Sequence, residues 1–259
     1  MKTVFAVTSW GNAGVQWVTE CINLHPAIHA WSCMNFAPHS RIQRDLTAVE
    51  YLDCMARLGW NDYRACGDVH GIVPDHFPAA RAAFGEEFRG GHLIGHPVPR
   101  LAGSLAFSKA VGRDWRHRDF LKNWNMERDH PVARKAFSIL GEEGDHVPAH
   151  YMMNVNSIGL VRSTDDPLFK LEELMTSDEA WARMIDHLSR GQIDDYGGRW
   201  RAKKGIYLGV AHEPFAQPPE TVWRNLPDHV RKVFAAMLTE DSRRAFDALG
   251  YDLSYVPRG

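Results

Sequence analysis

Several things are scarce in this chain of 259 residues, and each scarcity excludes a class of protein. No hydrophobic run approaches the ~20 residues that a membrane-spanning helix needs, so no membrane span is expected. Charge of one sign is lacking too: a net charge of −2 predicts no general attraction to nucleic acid or to an anionic membrane surface, and any basic site must be local. The four cysteines, Cys21, Cys33, Cys54 and Cys66, include no C-x-x-C pair, which argues against a zinc site and for reduced thiols in a cytoplasmic protein. There is no internal repeat, low-complexity tract or linker. The N-terminal MKTVFAVTSW is too short in its apolar part for a signal peptide and reads as a first strand.

What is present concentrates near the N-terminus. The apolar run Val4 to Val7, with a β-branched residue at each end, breaks at Thr8-Ser9 into a short loop holding Gly11 and Gly14, and a helical pattern follows at once. Strand, glycine loop and helix together turn backbone N–H groups and the positive end of a helix dipole toward an anion. The loop lacks the Lys-Ser/Thr pair that an NTPase loop requires after its last glycine; Val15 and Gln16 stand there instead. Further along, strands are predicted at 63–69, 92–94 and 168–171 and helices at 46–58, 77–88, 100–111, 177–189 and 227–249, the last interrupted near Thr239. Ser177 is the expected cap of the 177–189 helix and Gly250 the expected terminator of the last one. Such alternation predicts one α/β domain spanning 1–259, three layers with a central parallel sheet flanked by helices, and an irregular or lid-like insertion at about 112–160.

The segment Ala13-Gly14-Val15-Gln16-Trp17-Val18, followed one helix later by Leu24-His25-Pro26-Ala27-Ile28, resembles the 5′-phosphosulfate loop of sulfotransferases that use 3′-phosphoadenosine 5′-phosphosulfate (PAPS), commonly S-G-T-T-W-L with a later H-P. Asn12 replaces the usual Lys or Arg, and Val15 and Gln16 replace the two Thr. Two further segments keep the order of that family. Gly95-His96-Pro97-Val98-Pro99-Arg100, with Ser104, is similar to the R-x-P-x-x-R-x-x-S stretch that contacts the 3′-phosphate. Arg199 to Gly205, the densest basic run, lies where the family places an R-K-G segment over the nucleotide.

The resemblance implies a P-loop-type fold and PAPS bound by Trp10, Gly11, Asn12, Ala13, Gly14, Val15, Gln16, Trp17, Arg100, Ser104, Arg201, Lys203, Lys204 and Gly205, with no metal. Cytosolic members carry a catalytic His at the end of a comparable strand. His70 is therefore the expected general base, a neutral imidazole being matched to neutral pH. Asp68, two residues back on the same strand face, is expected to orient its ring. His96 is the next candidate base, and Glu142 or Glu143 a third. Arg100, Lys109 or the 201–204 run would supply the cation missing from the loop. The expected acceptor is a small-molecule hydroxyl or amine; a homodimer is left open. Two other readings compete: a P-loop phosphotransferase acting on a small molecule, and a non-catalytic nucleotide-binding protein of the same fold.

Overall fold

The structure, a computed structural model, describes residues 2–9, 14–32, 46–57, 63–110, 112, 120–122, 124–162, 165–204 and 213–259. In chain order its elements are β1 (Thr3–Ser9), α1 (Val15–Ile22), β2 (Ile28–Ser32), α2 (Ala48–Arg57), β3 (Ala65–Val69), α3 (Phe77–Phe84), β4 (Phe88–Ile94), α4 (Pro97–Ala110), α5 (Pro131–Leu140), α6 (Val147–Asn156), α7 (Ile158–Arg162), β5 (Leu168–Lys170), α8 (Leu171–Leu174), α9 (Asp178–Ser189), α10 (Pro219–Asn225), α11 (Asp228–Met237) and α12 (Glu240–Ala248). They sort into two compact units: Met1–Gly95 with Thr164–Tyr207, and His96–Ser163 with Leu208–Gly259.

The first unit is α/β. Its five strands pair in the order β2-β3-β1-β4-β5, all parallel. β1 lies in the middle, and every one of its residues is buried, as a strand covered on both faces requires. On one face Val4 and Ala6 of β1, Cys66 of β3 and Phe88 of β4 pack with Tyr51, Leu52 and Met55 of α2 and with Phe77 and Ala80 of α3. The other face is covered by α1 and α9, joined through the edge-to-face pair Trp17–Trp181 with centroids 5.6 Å apart. Trp17 makes a second such contact with Trp200 at 6.4 Å.

The helix reading holds in this unit with small shifts. Ser177 caps α9, its Oγ accepting from the Ala180 N–H at 3.2 Å. The helix expected over 77–88 stops at Phe84, because Gly85 takes a positive φ of 55° and Phe88 opens β4. Leu171, expected to end a strand, begins α8. β2 is an addition that the sequence reading did not include.

The second unit is built of helices in its described residues. The apolar stripe of α11, with Val230, Val233, Phe234 and Met237 buried, packs on α5 and α6. The Tyr151 hydroxyl donates to the Pro97 carbonyl at 2.8 Å and ties α6 to the start of α4. The expected interruption near Thr239 is real: its Oγ1 accepts from the Ser242 N–H at 3.1 Å and caps α12. Gly250 follows with a φ of 80°. Within the stretch expected to be irregular, α5, α6 and α7 are regular helices, and 113–119 lie outside the described residues. No helix among the described residues is long and apolar enough to cross a membrane.

Candidate functional site

A parallel sheet offers its crevice where neighbouring strands send their following helices to opposite faces. β1 leads through α1 toward β2, while β3 leads through α3 toward β4 on the other side of β1. Right-handed crossovers therefore place α1 and α3 on opposite faces, as the two packing layers have them. The crevice opens at the carboxyl ends of β1 and β3, at Ser9 and Val69-His70.

Of the expected phosphosulfate loop, Trp10, Gly11, Asn12 and Ala13 lie outside the described residues. Gly14 is described. It precedes α1 in the left-handed region, at φ 67° and ψ 25°, a conformation that favours a residue without Cβ. The first intrahelical bond runs from the Val18 N–H to the Gly14 carbonyl at 2.8 Å. The amides of Val15, Gln16 and Trp17 thus precede the helical ladder, at the positive end of α1. No acidic residue occupies the first turn of this helix. Gln16 is exposed, Val15 half-buried, and the Trp17 side chain 4% exposed in the aromatic cluster with Trp181 and Trp200. Trp17 is therefore a core residue whose offering toward a ligand is its backbone.

His70 ends β3. Its backbone N–H continues the ladder to the Val7 carbonyl at 2.8 Å, but its φ is +90°, which bulky side chains rarely adopt. This turn carries the ring across to β1, where Nδ1 lies 2.6 Å from the Ser9 carbonyl oxygen. A carbonyl can only accept, so Nδ1 donates, and in the neutral ring the lone pair belongs to Nε2. The half-buried His70 thus combines a fixed tautomer with a place beside the entrance to the glycine loop.

Two sequence expectations change here. Asp68 does not orient the His70 ring. It is fully buried on the α2–α3 side, with Oδ2 accepting from the Tyr51 hydroxyl at 2.9 Å and Oδ1 accepting from the Gly71 N–H. Strand alternation would have put both side chains on one face, and the positive φ of His70 breaks it. Burial pushes the Asp68 carboxyl up to about 7, against the opposing pull of the Tyr51 and Gly71 hydrogen bonds. His96 has a structural job in the second unit. Its Nδ1 accepts from the Val98 N–H at 3.2 Å at the start of α4, and Nε2 lies 3.2 Å from the Asp252 carbonyl. The ring is 5% exposed beside Tyr251 and Tyr255, and burial lowers it to about 4.

The remaining candidates divide between the units. Arg100 and Ser104 belong to the second, one turn apart on α4, at 4% and 6% exposure. Arg100 is therefore no solvated surface cation, and a guanidinium held out of water requires anionic or hydrogen-bonding company. Ser108, 8% exposed, extends the same buried polar stripe at a spacing of four. Lys109 is exposed at the end of α4, Glu142 pairs with Arg128, and Glu143 is exposed.

In the first unit Lys203 meets Glu20 of α1 at 2.8 Å, and its carbonyl accepts from the Trp17 indole at 3.2 Å. Arg201 pairs with Asp178 at 2.6 Å, and the Lys204 ammonium lies 5.6 Å from the Trp200 ring centroid. These contacts knit the basic run to α1 and α9. Gly205 lies outside the described residues.

The chain matches no family model, and no curated protein is similar to it in sequence. Among the described residues no group of three His, Cys, Asp or Glu is arranged to hold a metal ion. Tyr51 and Ser9 are the site residues that sequence reasoning missed: one lies in a helical apolar stripe, and the other acts through its main-chain oxygen.

Proposed function

We propose that the chain is a PAPS-dependent sulfotransferase acting on a hydroxyl or amine of a small-molecule acceptor. The observation that carries this reading is the His70 ring, held by the Ser9 carbonyl with Nδ1 as donor, beside the strand that leads into the Gly14–α1 turn. A neutral imidazole of fixed tautomer suits the removal of an acceptor's proton, and unladdered amides at a helix N-terminus suit an anionic donor. The order of the motifs along the sequence supplies the choice of PAPS over other phosphate compounds. When bound, PAPS supplies the sulfuryl group and a phosphate leaving group. The chain's part is to hold the nucleotide through the amides of Gly14 to Trp17 and the Gln16 side chain, and to accept the acceptor's proton at His70 Nε2. We also infer a cytoplasmic setting, supported by the unpaired thiols of Cys21, Cys54 and Cys66.

Thermal unfolding with 3′-phosphoadenosine 5′-phosphate, with ATP plus magnesium, and with ADP tests the donor class. The 3′-phosphorylated nucleotide should raise the melting temperature most, since ~100-fold saturation contributes about 2.7 kcal/mol. A response to ATP and magnesium alone would overturn the reading in favour of phosphoryl transfer.

A further inference from the structure

We propose that Tyr51 and Asp68 are positioning residues that aim His70 through the backbone of the turn, and not through its ring. The proposal rests on the reading of His70 as proton acceptor. The starting point is the φ of +90° at His70, a conformation that persists only where the surroundings over-determine it. Three contacts do so. The His70 N–H is anchored to the Val7 carbonyl, the ring is anchored to the Ser9 carbonyl, and the next amide, Gly71 N–H, is anchored to Asp68 Oδ1. The first two fix the ends of the residue, and the third fixes the direction in which the chain leaves it.

Gly71 is matched to that third contact. A Cβ at this position would lie 2.5 Å from Asp68 Oδ1, so only glycine lets the carboxylate sit against the turn. Asp68 in turn needs a second partner, because a carboxylate at 0% exposure is costly without hydrogen bonds on both oxygens. Tyr51 provides it from α2, itself only 2% exposed, at 2.9 Å. The register neighbours of Asp68 are Ala6 on β1 and Trp31 on β2, neither of which titrates. The apolar cluster on this face includes Leu52, Met55, Ile72 and Phe77, and the ring of His92, held by the Thr8 hydroxyl at 2.7 Å, stacks on Phe77. An apolar side chain at 68 would suit that cluster better and would release the turn. Spending buried polarity on this spot is explained by the aim of the residue two positions on.

The network tolerates either protonation state of Asp68. With the carboxylate ionised the Tyr51 hydroxyl donates to it; with the carboxyl protonated the same hydroxyl can rotate and accept, while the Gly71 N–H bond is kept. An asparagine can do the same, its carbonyl accepting from Gly71 and its NH₂ donating to Tyr51. Charge is therefore not what the position supplies.

The test is the ring spectrum of His70 (¹⁵N and ¹³Cε1 resonances, assigned by comparison with His70→Gly), recorded with steady-state kinetics on the full chain. In Tyr51→Phe and Asp68→Ala the ¹⁵N pattern should lose its single-tautomer signature. Transfer kcat should fall about tenfold and a hundredfold respectively, with KM for PAPS within twofold of the parent. Asp68→Asn should restore both the spectrum and kcat to near the parent. If Asp68→Ala fails to fold, Tyr51→Phe and Asp68→Asn decide between positioning and a merely structural role. An unchanged His70 spectrum in Tyr51→Phe, or a disturbed one in Asp68→Asn, overturns the proposal whatever the turnover. A parent protein that transfers no sulfuryl group to any acceptor, yet whose His70 spectrum responds as stated, upholds the positioning and overturns the sulfotransferase reading alone.

Discussion

Replacing His70 by alanine is expected to lower the rate of sulfuryl transfer by about 10²–10⁴-fold, the usual contribution of a positioned general base, with affinity for 3′-phosphoadenosine 5′-phosphate kept within about twofold. The separation follows from the geometry. The ring reaches Ser9 and the mouth of the crevice, whereas the amides expected to hold the nucleotide belong to the first turn of α1. Removing the imidazole leaves that turn and the Gly14 conformation in place. His70→Gly is the sharper companion, because glycine accepts a φ of +90° without strain. It should be at least as stable as His70→Ala, and added imidazole should restore part of its turnover. Unchanged transfer in either variant removes His70 from catalysis. Loss of nucleotide binding together with turnover would instead make it a residue that holds the loop.

The second large effect is on stability as a function of pH. The Asp68 carboxyl is lifted by burial from the ordinary 3.8 to about 7 in the folded protein. Between these values the unfolded chain has released the proton and the folded chain still binds it, so folding takes up a proton. The contribution of Asp68 is thus most favourable below pH ~4 and is lost progressively as pH rises toward ~7, at up to about 1.4 kcal/mol per pH unit. Above that range it is flat. Asp68→Asn cannot titrate and keeps both hydrogen bonds, so it should remove this slope and be more stable than the parent at pH 8 by a few kcal/mol. Urea unfolding at several pH values between 4 and 8 measures it directly. Parallel profiles for parent and variant would show that Asp68 is ionised throughout.

β1 and α1 were legible because an apolar, fully buried strand and a helix starting at a glycine both leave plain patterns in sequence. β2, Ile28–Ser32, was not. Its IHAWS has a half-polar composition, and it becomes a strand through pairing with β3, Ile28 opposite Ala65. Such pairing is tertiary information. His70 was readable as a strand end, but the direction of its ring was not, because alternation assumes extended backbone and the residue leaves it. Tyr51 could not be recognised as a partner of Asp68 for a related reason. Only the packing of α2 across the sheet brings a side chain of an ordinary amphipathic stripe onto a β3 carboxylate. Arg100 was conspicuous in the motif order, but its burial on α4 was not readable there. His96 shows the converse, a conspicuous histidine whose nitrogens serve a helix start and a neighbouring carbonyl.

The central place of β1 also governs when this protein can become itself. The strand is translated before either of its ladder partners, and it gains its second flank only once Phe88–Ile94 has left the ribosome. Until then one edge of the strand lacks its ladder partner, and closure must bring together residues far apart along the chain. Parallel pairing at such separations is intrinsically slow to form, so refolding of this unit is expected to lag that of a helical domain of the same size.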